Sequence, residues 1–220
     1  MMAIAQKQQA RLVHVSTVSV GGTGGLVPLT ERNLYVGQQL QNPYVRSKFL
    51  AERDVLQAAA EGKIQATVLR IGNLSPRRSD GRFRQDGLTG MEGAVEGIRM
   101  LGCYPQSLAQ LPFDQSPVDE TASAIICLVS NNCQKHLLMP FCPQLHTLRQ
   151  IFRGTPVKEV ADQLFMQRLH TVLADNAKHT PLIQLLNIHS QAANSTSTPT
   201  PVNNQLTTDT LHTLNFSWKI

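Results

Sequence analysis

Leu12-Val13-His14-Val15-Ser16-Thr17, then Pro43-Tyr44-Val45-Arg46-Ser47-Lys48-Phe49-Leu50-Ala51-Glu52, then Ile64-Gln65-Ala66-Thr67-Val68-Leu69-Arg70-Ile71 are the stretch that decides the fold. The first run is β-rich and stops at a glycine cluster, Gly21-Gly22-Thr23-Gly24-Gly25, as a buried strand entering a loop does. From Pro43 to about Glu61 good helix formers predominate. Pro43 suits a first turn, where its missing N–H is not needed, and Gly62 supplies the stop. The third run is rich in β-branched groups and returns the chain to a strand. Strand, loop, helix and strand make one crossover unit, which implies parallel strands covered by helices and an α/β architecture.

Outward from this unit the alternation loosens. A polar loop is expected at 75–87, a helix near 88–101, a helix over 118–130 opening on Pro117-Val118-Asp119, and a short strand at 136–141. Leu145–Phe152, Val157–Ala174 and Pro181–Ile188 read as helical. Residues 190–204, rich in Ser, Thr, Asn and Pro, bury too little apolar surface to offset ordering entropy and read as a flexible loop. An amphipathic segment from Gln205 to Leu214 then leads to Phe216 and Trp218, which dock the C-terminus. The expected division is 1–75 as the catalytic part of a nucleotide-binding sheet and 76–220 as a smaller, mostly helical, substrate-facing lobe.

Composition narrows the function classes. The 220 residues, 41% hydrophobic and 16% charged, describe an ordinary packed globular protein. A net charge of +5, concentrated in part at Arg77, Arg78, Arg82 and Arg84, invites an anionic partner. With 5% aromatic residues, no stacking platform and no finger spacing, that charge argues against nucleic acid and suits a phosphorylated cofactor or an acidic carrier. Cys103, Cys127, Cys133 and Cys142 show no CxxC pair and read as reduced and structural, with no metal site. No leader-like or spanning apolar run of roughly 18–20 residues occurs, so a cytoplasmic location without membrane contact is expected.

Tyr44 and Lys48 stand at i and i+4, on one helix face and one turn apart. A phenol of ordinary pKa near 10 is a poor acid at neutral pH, and a neighbouring ammonium lowers it by favouring the phenolate. Lys48 can also donate to ribose hydroxyls. Such a pair alone is common on helix surfaces. Its place between a strand ending in Ser16-Thr17 and another ending in Arg70-Ile71-Gly72-Asn73 makes it specific.

These runs, HisValSerThrValSerValGly, AsnProTyrValArgSerLysPheLeuAlaGlu and LeuArgIleGlyAsnLeuSerProArgArgSerAspGlyArgPhe, together resemble the extended short-chain dehydrogenases/reductases. The ArgIleGlyAsnLeu and SerAspGlyArgPhe segments, with SerProValAspGluThrAlaSerAlaIle and the ending AsnPheSerTrpLysIle, resemble thioester reductase domains, which end nonribosomal peptide synthetases and occur in carboxylic acid reductases. The resemblance runs from Leu12 to the C-terminus and implies a Rossmann-like parallel sheet. It implies Thr17, with Ser16 as fallback, as the hydroxyl on the reacting carbonyl, and Tyr44 as proton donor. Lys48 would tune Tyr44 and hold the ribose, with Asn73 beside the cofactor. Arg70 is either near the cofactor or structural, and Asp119 a helix-start residue. The implied cofactor is NADPH, and the implied partner is an acyl or peptidyl carrier protein bearing a phosphopantetheine-bound thioester, released as aldehyde or alcohol.

The family's opening strand, Gly-rich turn and pyrophosphate-binding helix have no counterpart in these residues. Gly21–Gly25 follows the strand of Thr17 and reads instead as a mobile active-site loop. The expected architecture is therefore a partial Rossmann-like sheet lacking its N-terminal Gly-rich βαβ unit. Its missing N-terminal half would be supplied by a longer polypeptide or a partner. The alternatives are a non-catalytic fragment or carrier-docking lobe, and an epimerase or dehydratase of the same superfamily.

Overall fold

The computed structural model describes residues 1–40, 42–82, 90–131, 136–175, 179–194 and 198–219. Phe83 and Arg84, Cys133 and residues 195–197 of the Ser/Thr/Asn/Pro-rich segment lie outside the described residues. In chain order the elements are α1 (Met2–Gln8), β1 (Leu12–Thr17), α2 (Pro43–Ala60), β2 (Ala66–Ile71), β3 (Leu74–Ser75), α3 (Gly90–Leu101), β4 (Cys103–Pro105), β5 (Phe113–Asp114) and β6 (Ser116–Pro117). They continue with α4 (Val118–Ser130), β7 (Leu137–Leu138), β8 (Leu145–His146), α5 (Leu148–Ile151), β9 (Lys158–Val160), α6 (Asp162–Asp175), α7 (Thr180–Asn194) and α8 (Gln205–Thr213). Two compact units result: Met1–Gly72 with Asp119–Pro143 and Ser197–Ile220, and Asn73–Val118 with Gln144–Thr196.

The first unit is built on a three-stranded parallel sheet in the order β1-β2-β7. β1 and β2 pair along their whole length, from Leu12 opposite Ala66 to Thr17 opposite Ile71, so the crossover through α2 has the expected form. Successive side chains of β2 point to opposite faces. Val68 joins Val55, Ile64 and Leu137 on one face, whereas Leu69 joins Ala124, Leu128, Leu138 and Leu211 from α4, β7 and α8 on the other. Phe216 and Trp218 pack on that second cluster, their rings edge to face at 5.5 Å. The first unit thus takes α4, β7 and the C-terminal segment, which the division at residue 75 assigns to the second lobe. The cause is tertiary, because these elements cover a sheet formed far away in sequence.

α2 starts where local chemistry dictates. The Asn42 side chain accepts from the Val45 N–H at 2.9 Å and Pro43 occupies the first turn. Val45, Phe49, Glu52 and Val55 form its buried face.

The second unit packs α3 on α7 over a core that includes Val95, Ile98, Phe165, Leu182 and Leu185. Gly97 permits the contact, since a Cβ there would lie 2.6 Å from the Pro181 carbonyl oxygen. Short strand pairs complete the unit, β3 with β6 and β4 with β9 in parallel and β5 with β8 antiparallel.

Several expectations are corrected. Helix over Val157–Ala174 begins only at Asp162, because Lys158–Val160 pairs with Cys103–Pro105. Leu145–Phe152 divides into β8 and α5, the latter started by a capping box of Thr147 and Gln150. The strand at 136–141 narrows to Leu137–Leu138: the Met139 N–H donates to Thr207 Oγ1 at 2.8 Å, and Pro140 has no N–H for a ladder.

The flexible loop at 190–204 is also corrected within the described residues. Positions up to Asn194 belong to α7. Residues 198–204 form a strap on the glycine cluster: Gly24 N–H donates to the Thr198 carbonyl, Thr200 N–H to that of Gly22, Leu29 N–H to that of Pro201 and Asn203 N–H to that of Leu29. Thr200 Oγ1 accepts from Gly25 N–H at 3.0 Å, and Asn204 Nδ2 donates to the carbonyls of Met139 and Phe141. Gly21–Gly25 is therefore pinned. Gly25 is small because a Cβ would stand 2.5 Å from Thr200, and Gly22, at φ +54°, because a Cβ would meet the Gln39 carbonyl oxygen. Among the described residues, no helix is long and apolar enough to cross a membrane.

Candidate active site

Thr17 closes β1, and its hydroxyl organises the turn that follows. Thr17 Oγ1 accepts from the Ser19 N–H at 3.1 Å and lies 3.2 Å from Ser19 Oγ, capping a one-turn 3₁₀ helix over Val18–Gly21. Thr17 is only 7% exposed, whereas Ser19 is exposed. Ser16 faces α2 by strand alternation, where its hydroxyl donates to Glu52 Oε2 at 2.8 Å.

Tyr44 stands in the first turn of α2 and is 56% exposed. Lys48 lies one turn on, half-buried, with Nζ 6.0 Å from the centre of the Tyr44 ring. Among the described residues neither the phenol nor the ammonium has a hydrogen-bond or ion-pair partner. The start of α2 and the Thr17–Ser19 turn meet at one cavity of about 260 Å³, lined by Val18, Ser19, Asn42 and Val45 among others. A larger cavity, about 830 Å³, opens at the other ends of β1 and β2, beside Arg11, Lys63 and His136. Ligands of open α/β sheets bind outside the carboxyl ends of the strands, and the smaller cavity lies at that end of β1, though none of Thr17, Tyr44 and Lys48 is among its lining residues.

Glu52 follows Lys48 by one more turn and is fully buried against Arg70 on β2, also fully buried. Arg70 Nε and Nη2 donate to Glu52 Oε1 at 2.8 and 2.5 Å, while Nη1 and Nη2 donate to the carbonyls of Thr30 and Asn33, each at 2.9 Å. One ion pair therefore ties together the end of β1 through Ser16, the helix of Tyr44 and Lys48, and the loop behind the glycine cluster. Arg70 is structural in this arrangement, and Glu52 is the site-supporting residue that sequence reading missed. Its signal was present: a lone acid on the apolar face of Val45, Phe49 and Val55, and a lone Arg within Ala-Thr-Val-Leu-Arg-Ile, require a buried partner.

His14, two residues before Ser16 and on the same strand face, senses the same groups. Burial lowers its pKa below the ordinary imidazole value, Lys48 lowers it further, and Glu52 opposes the shift. Its Nε2 is buried without a hydrogen-bond partner among the described residues.

Asn73 opens the second unit, while Thr17, Tyr44 and Lys48 belong to the first. Its backbone N–H donates to Asp114 Oδ2 at 2.7 Å and its Nδ2 to Oδ1 at 2.9 Å. Burial pushes the Asp114 carboxyl above the ordinary range, opposed by the hydrogen bonds from Asn73 and Ser116. Asp119 sits in the first turn of α4, its carboxylate accepting from the Glu120 N–H.

A parallel sheet, a hydroxyl-bearing strand end and a Tyr-Lys pair on the following helix define the extended short-chain dehydrogenase/reductase class. The family described as male sterility protein, a nicotinamide-nucleotide-binding family, matches residues 1–125, and the chain belongs to it. The reductase domain of the aureusimine biosynthetic cluster is similar at 25% identity with a TM-score of 0.80, covering 100% of this chain and 59% of that one. A thiolation-reductase di-domain from an archaeal nonribosomal peptide synthetase is similar at 28% identity with a TM-score of 0.80, covering 100% and 48%. This likeness marks the chain as thioester-reductase-like, and it spans about half to three-fifths of those structures' length. A dTDP-glucose 4,6-dehydratase from Bacillus anthracis in complex with NAD, at 15% identity and a TM-score of 0.61, shares the fold alone. A search of curated proteins gives no match.

Proposed function

We propose that the chain is the C-terminal part of an NADPH-dependent thioester reductase that releases a carrier-bound acyl or peptidyl thioester as an aldehyde, or as an alcohol after a second reduction. The observation that carries this reading is the Tyr44–Lys48 pair, with phenol and ammonium both unengaged, on the helix whose start shares a cavity with the Thr17–Ser19 turn. A half-buried ammonium with no counter-ion among the described residues fits the hydroxyls of a nicotinamide ribose, so Lys48 would hold that sugar, with Tyr44 beside it and Asn73 at the cofactor.

When bound, NADPH supplies hydride to the thioester carbon. The residues do the rest. Thr17, which closes β1, donates to the oxygen as it gains charge, and a preorganised donor of this kind is worth about 10²–10³ in rate. Tyr44 gives its proton to that oxygen, with the Lys48 ammonium one helical turn away. The neutral hemithioacetal then breaks its C–S bond, and the hydroxyl proton leaves with the thiol as the aldehyde forms. The thiol is the carrier's phosphopantetheine arm.

The reading includes a partner that completes the sheet. β1 has β2 on one side, and Val15 near its end is 43% exposed between half-buried His14 and buried Ser16. An N-terminal half carrying the Gly-rich turn would lie along that edge, and without it the chain would act only as a carrier-docking lobe.

The deciding experiment combines the chain with such an N-terminal half, NADPH and an acyl-carrier thioester and follows loss of reduced-nicotinamide absorbance. Turnover that depends on both halves and drops with Tyr44→Phe supports the reading. Turnover indifferent to Tyr44→Phe, or none in the complete assembly, overturns it.

A further inference from the structure

Asn73 is clamped to the segment where β5 gives way to β6, within the second unit. Its backbone N–H donates to Asp114 Oδ2 at 2.7 Å, its Nδ2 donates to Asp114 Oδ1 at 2.9 Å, and its carbonyl accepts from the Ser116 N–H at 2.8 Å. Ser116 Oγ also donates to Asp114 Oδ2, at 3.2 Å. Asp114 and Ser116 are buried, whereas Asn73 is half-buried.

These bonds decide which way the Asn73 amide faces. An ionised carboxylate only accepts, so the amide nitrogen and not the amide oxygen must meet Asp114. Burial works against that ionised form, and the donors of Asn73 and Ser116 work for it. Asn73 Oδ1 is thereby turned away from Asp114, and among the described residues it accepts no hydrogen bond. A primary amide carries two protons on its nitrogen, so one of them remains beside that oxygen. The remaining edge offers an acceptor and a donor, close to a buried carboxylate. An uncharged amide suits it, because it has an N–H to give to Oδ1. A carboxylate has no proton to give and is repelled by Asp114.

The geometry assigns Asp114 as the positioning residue that fixes the Asn73 side chain, and the Asn73 edge as the site for an uncharged amide of the ligand. Two sources of that chemistry occur in the proposed reaction: the carboxamide of nicotinamide and the amides of the phosphopantetheine arm. The inference rests on the thioester reductase reading and deepens it, since Asn73 then selects its ligand by the polarity that Asp114 imposes.

The test titrates the isotope-labelled chain with nicotinamide, pantetheine and nicotinate, following the backbone and side-chain amide resonances of Asn73 and the backbone amide of Ser116. Saturable shifts are expected with nicotinamide or with pantetheine, the first placing the cofactor at Asn73 and the second the carrier arm. Nicotinate, with a carboxylate in place of the carboxamide, should bind about tenfold or more weaker than whichever amide binds. Asn73→Ala should cost about 2- to 10-fold in amide affinity, the size of one net hydrogen bond. Asp114→Asn puts an NH₂ group against the Asn73 side chain and turns it round, so the preference for amide over nicotinate should shrink by about threefold or more. A merely packing role for Asp114 would leave that preference unmoved. Circular dichroism melts show which variants are folded, and the nicotinate comparison on the wild-type chain needs none of them. Neither amide shifting Asn73, nicotinate binding as tightly as the amide, or a folded Asp114→Asn chain with wild-type preference overturns the inference. Amide binding at Asn73 with no turnover in the complete assembly sinks the reductase reading and leaves this site standing. Turnover there without amide binding at Asn73 sinks this site alone.

Discussion

The two units solve the problem of a core in opposite ways. The second packs helix on helix through Val95, Ile98, Leu182 and Leu185, with Gly97 letting α3 approach α7 closely. The first puts Ser16, Glu52 and Arg70 at its centre, fully or nearly buried, together with Asn204 and Thr207 bonded into the β7 region. Apolar packing is non-directional, whereas a buried ion pair with every donor engaged fixes geometry at a cost in desolvation. The fully buried Glu52–Arg70 ion pair occurs in the unit that carries the strand end of Thr17 and the helix of Tyr44 and Lys48.

The sharpest way to break this contrast is Arg70→Met, which strands Glu52 in the core and should cost about 3–5 kcal/mol by urea denaturation. Replacing both partners, Arg70→Met with Glu52→Leu, should recover most of that stability while leaving the Thr30 and Asn33 carbonyls without their donor. A double variant no more stable than the single one would remove the ion-pair account. Next in size, Gly97→Ala forces the α3–α7 contact apart in the second unit and should cost about 1–3 kcal/mol as overpacking. A neutral result would mean that α7 shifts freely. Asn204→Ala withdraws donors from the carbonyls of Met139 and Phe141 and should cost about 1–3 kcal/mol, read as faster hydrogen exchange along the strap.

The smallest effect is expected from pH. The folded chain holds His14 neutral to lower pH than the unfolded chain does, so below the ordinary imidazole value of 6.5 the unfolded state binds more protons. Stability should therefore fall as pH drops through that window, and His14→Asn should flatten the decline. Urea midpoints of the two proteins compared on either side of that value check the sign. Equal slopes would show that burial beside Lys48 does not lower the His14 pKa.

Which elements were legible follows from how each is stabilised. β1, α2 and α4 lie where local pattern puts them, because a β-rich run, an Asn-Pro start and an acidic first turn act within a few residues. β2 was displaced by two residues at its start, where Ile64 packs on the sheet without joining the ladder. β9 was missed inside an apparent helix, since its pairing partner, Cys103–Pro105, lies over fifty residues earlier. The strap was read as part of a flexible loop because its composition is polar. Its order comes from backbone bonds to Gly22, Gly24 and Leu29 and from the Gly25 N–H bond to the Thr200 hydroxyl, 175 residues apart in sequence, and no local window contains them.

Of the candidate site, Thr17, Tyr44 and Lys48 could be proposed because their spacing is carried by one crossover unit, and the Tyr44–Lys48 approach follows from helix geometry alone. Glu52 was overlooked despite its telltale isolation on an apolar face, and Ser19 could not be distinguished from Thr17 or Ser16 without knowing which hydroxyl is buried. The sequence by itself determined the βαβ unit, its class and the pair on α2, since periodicity and capping are local. Tertiary structure alone decided which hydroxyl is reachable, why Gly21–Gly25 is small and what walls the cavity, because burial and close approach depend on segments that meet only after folding.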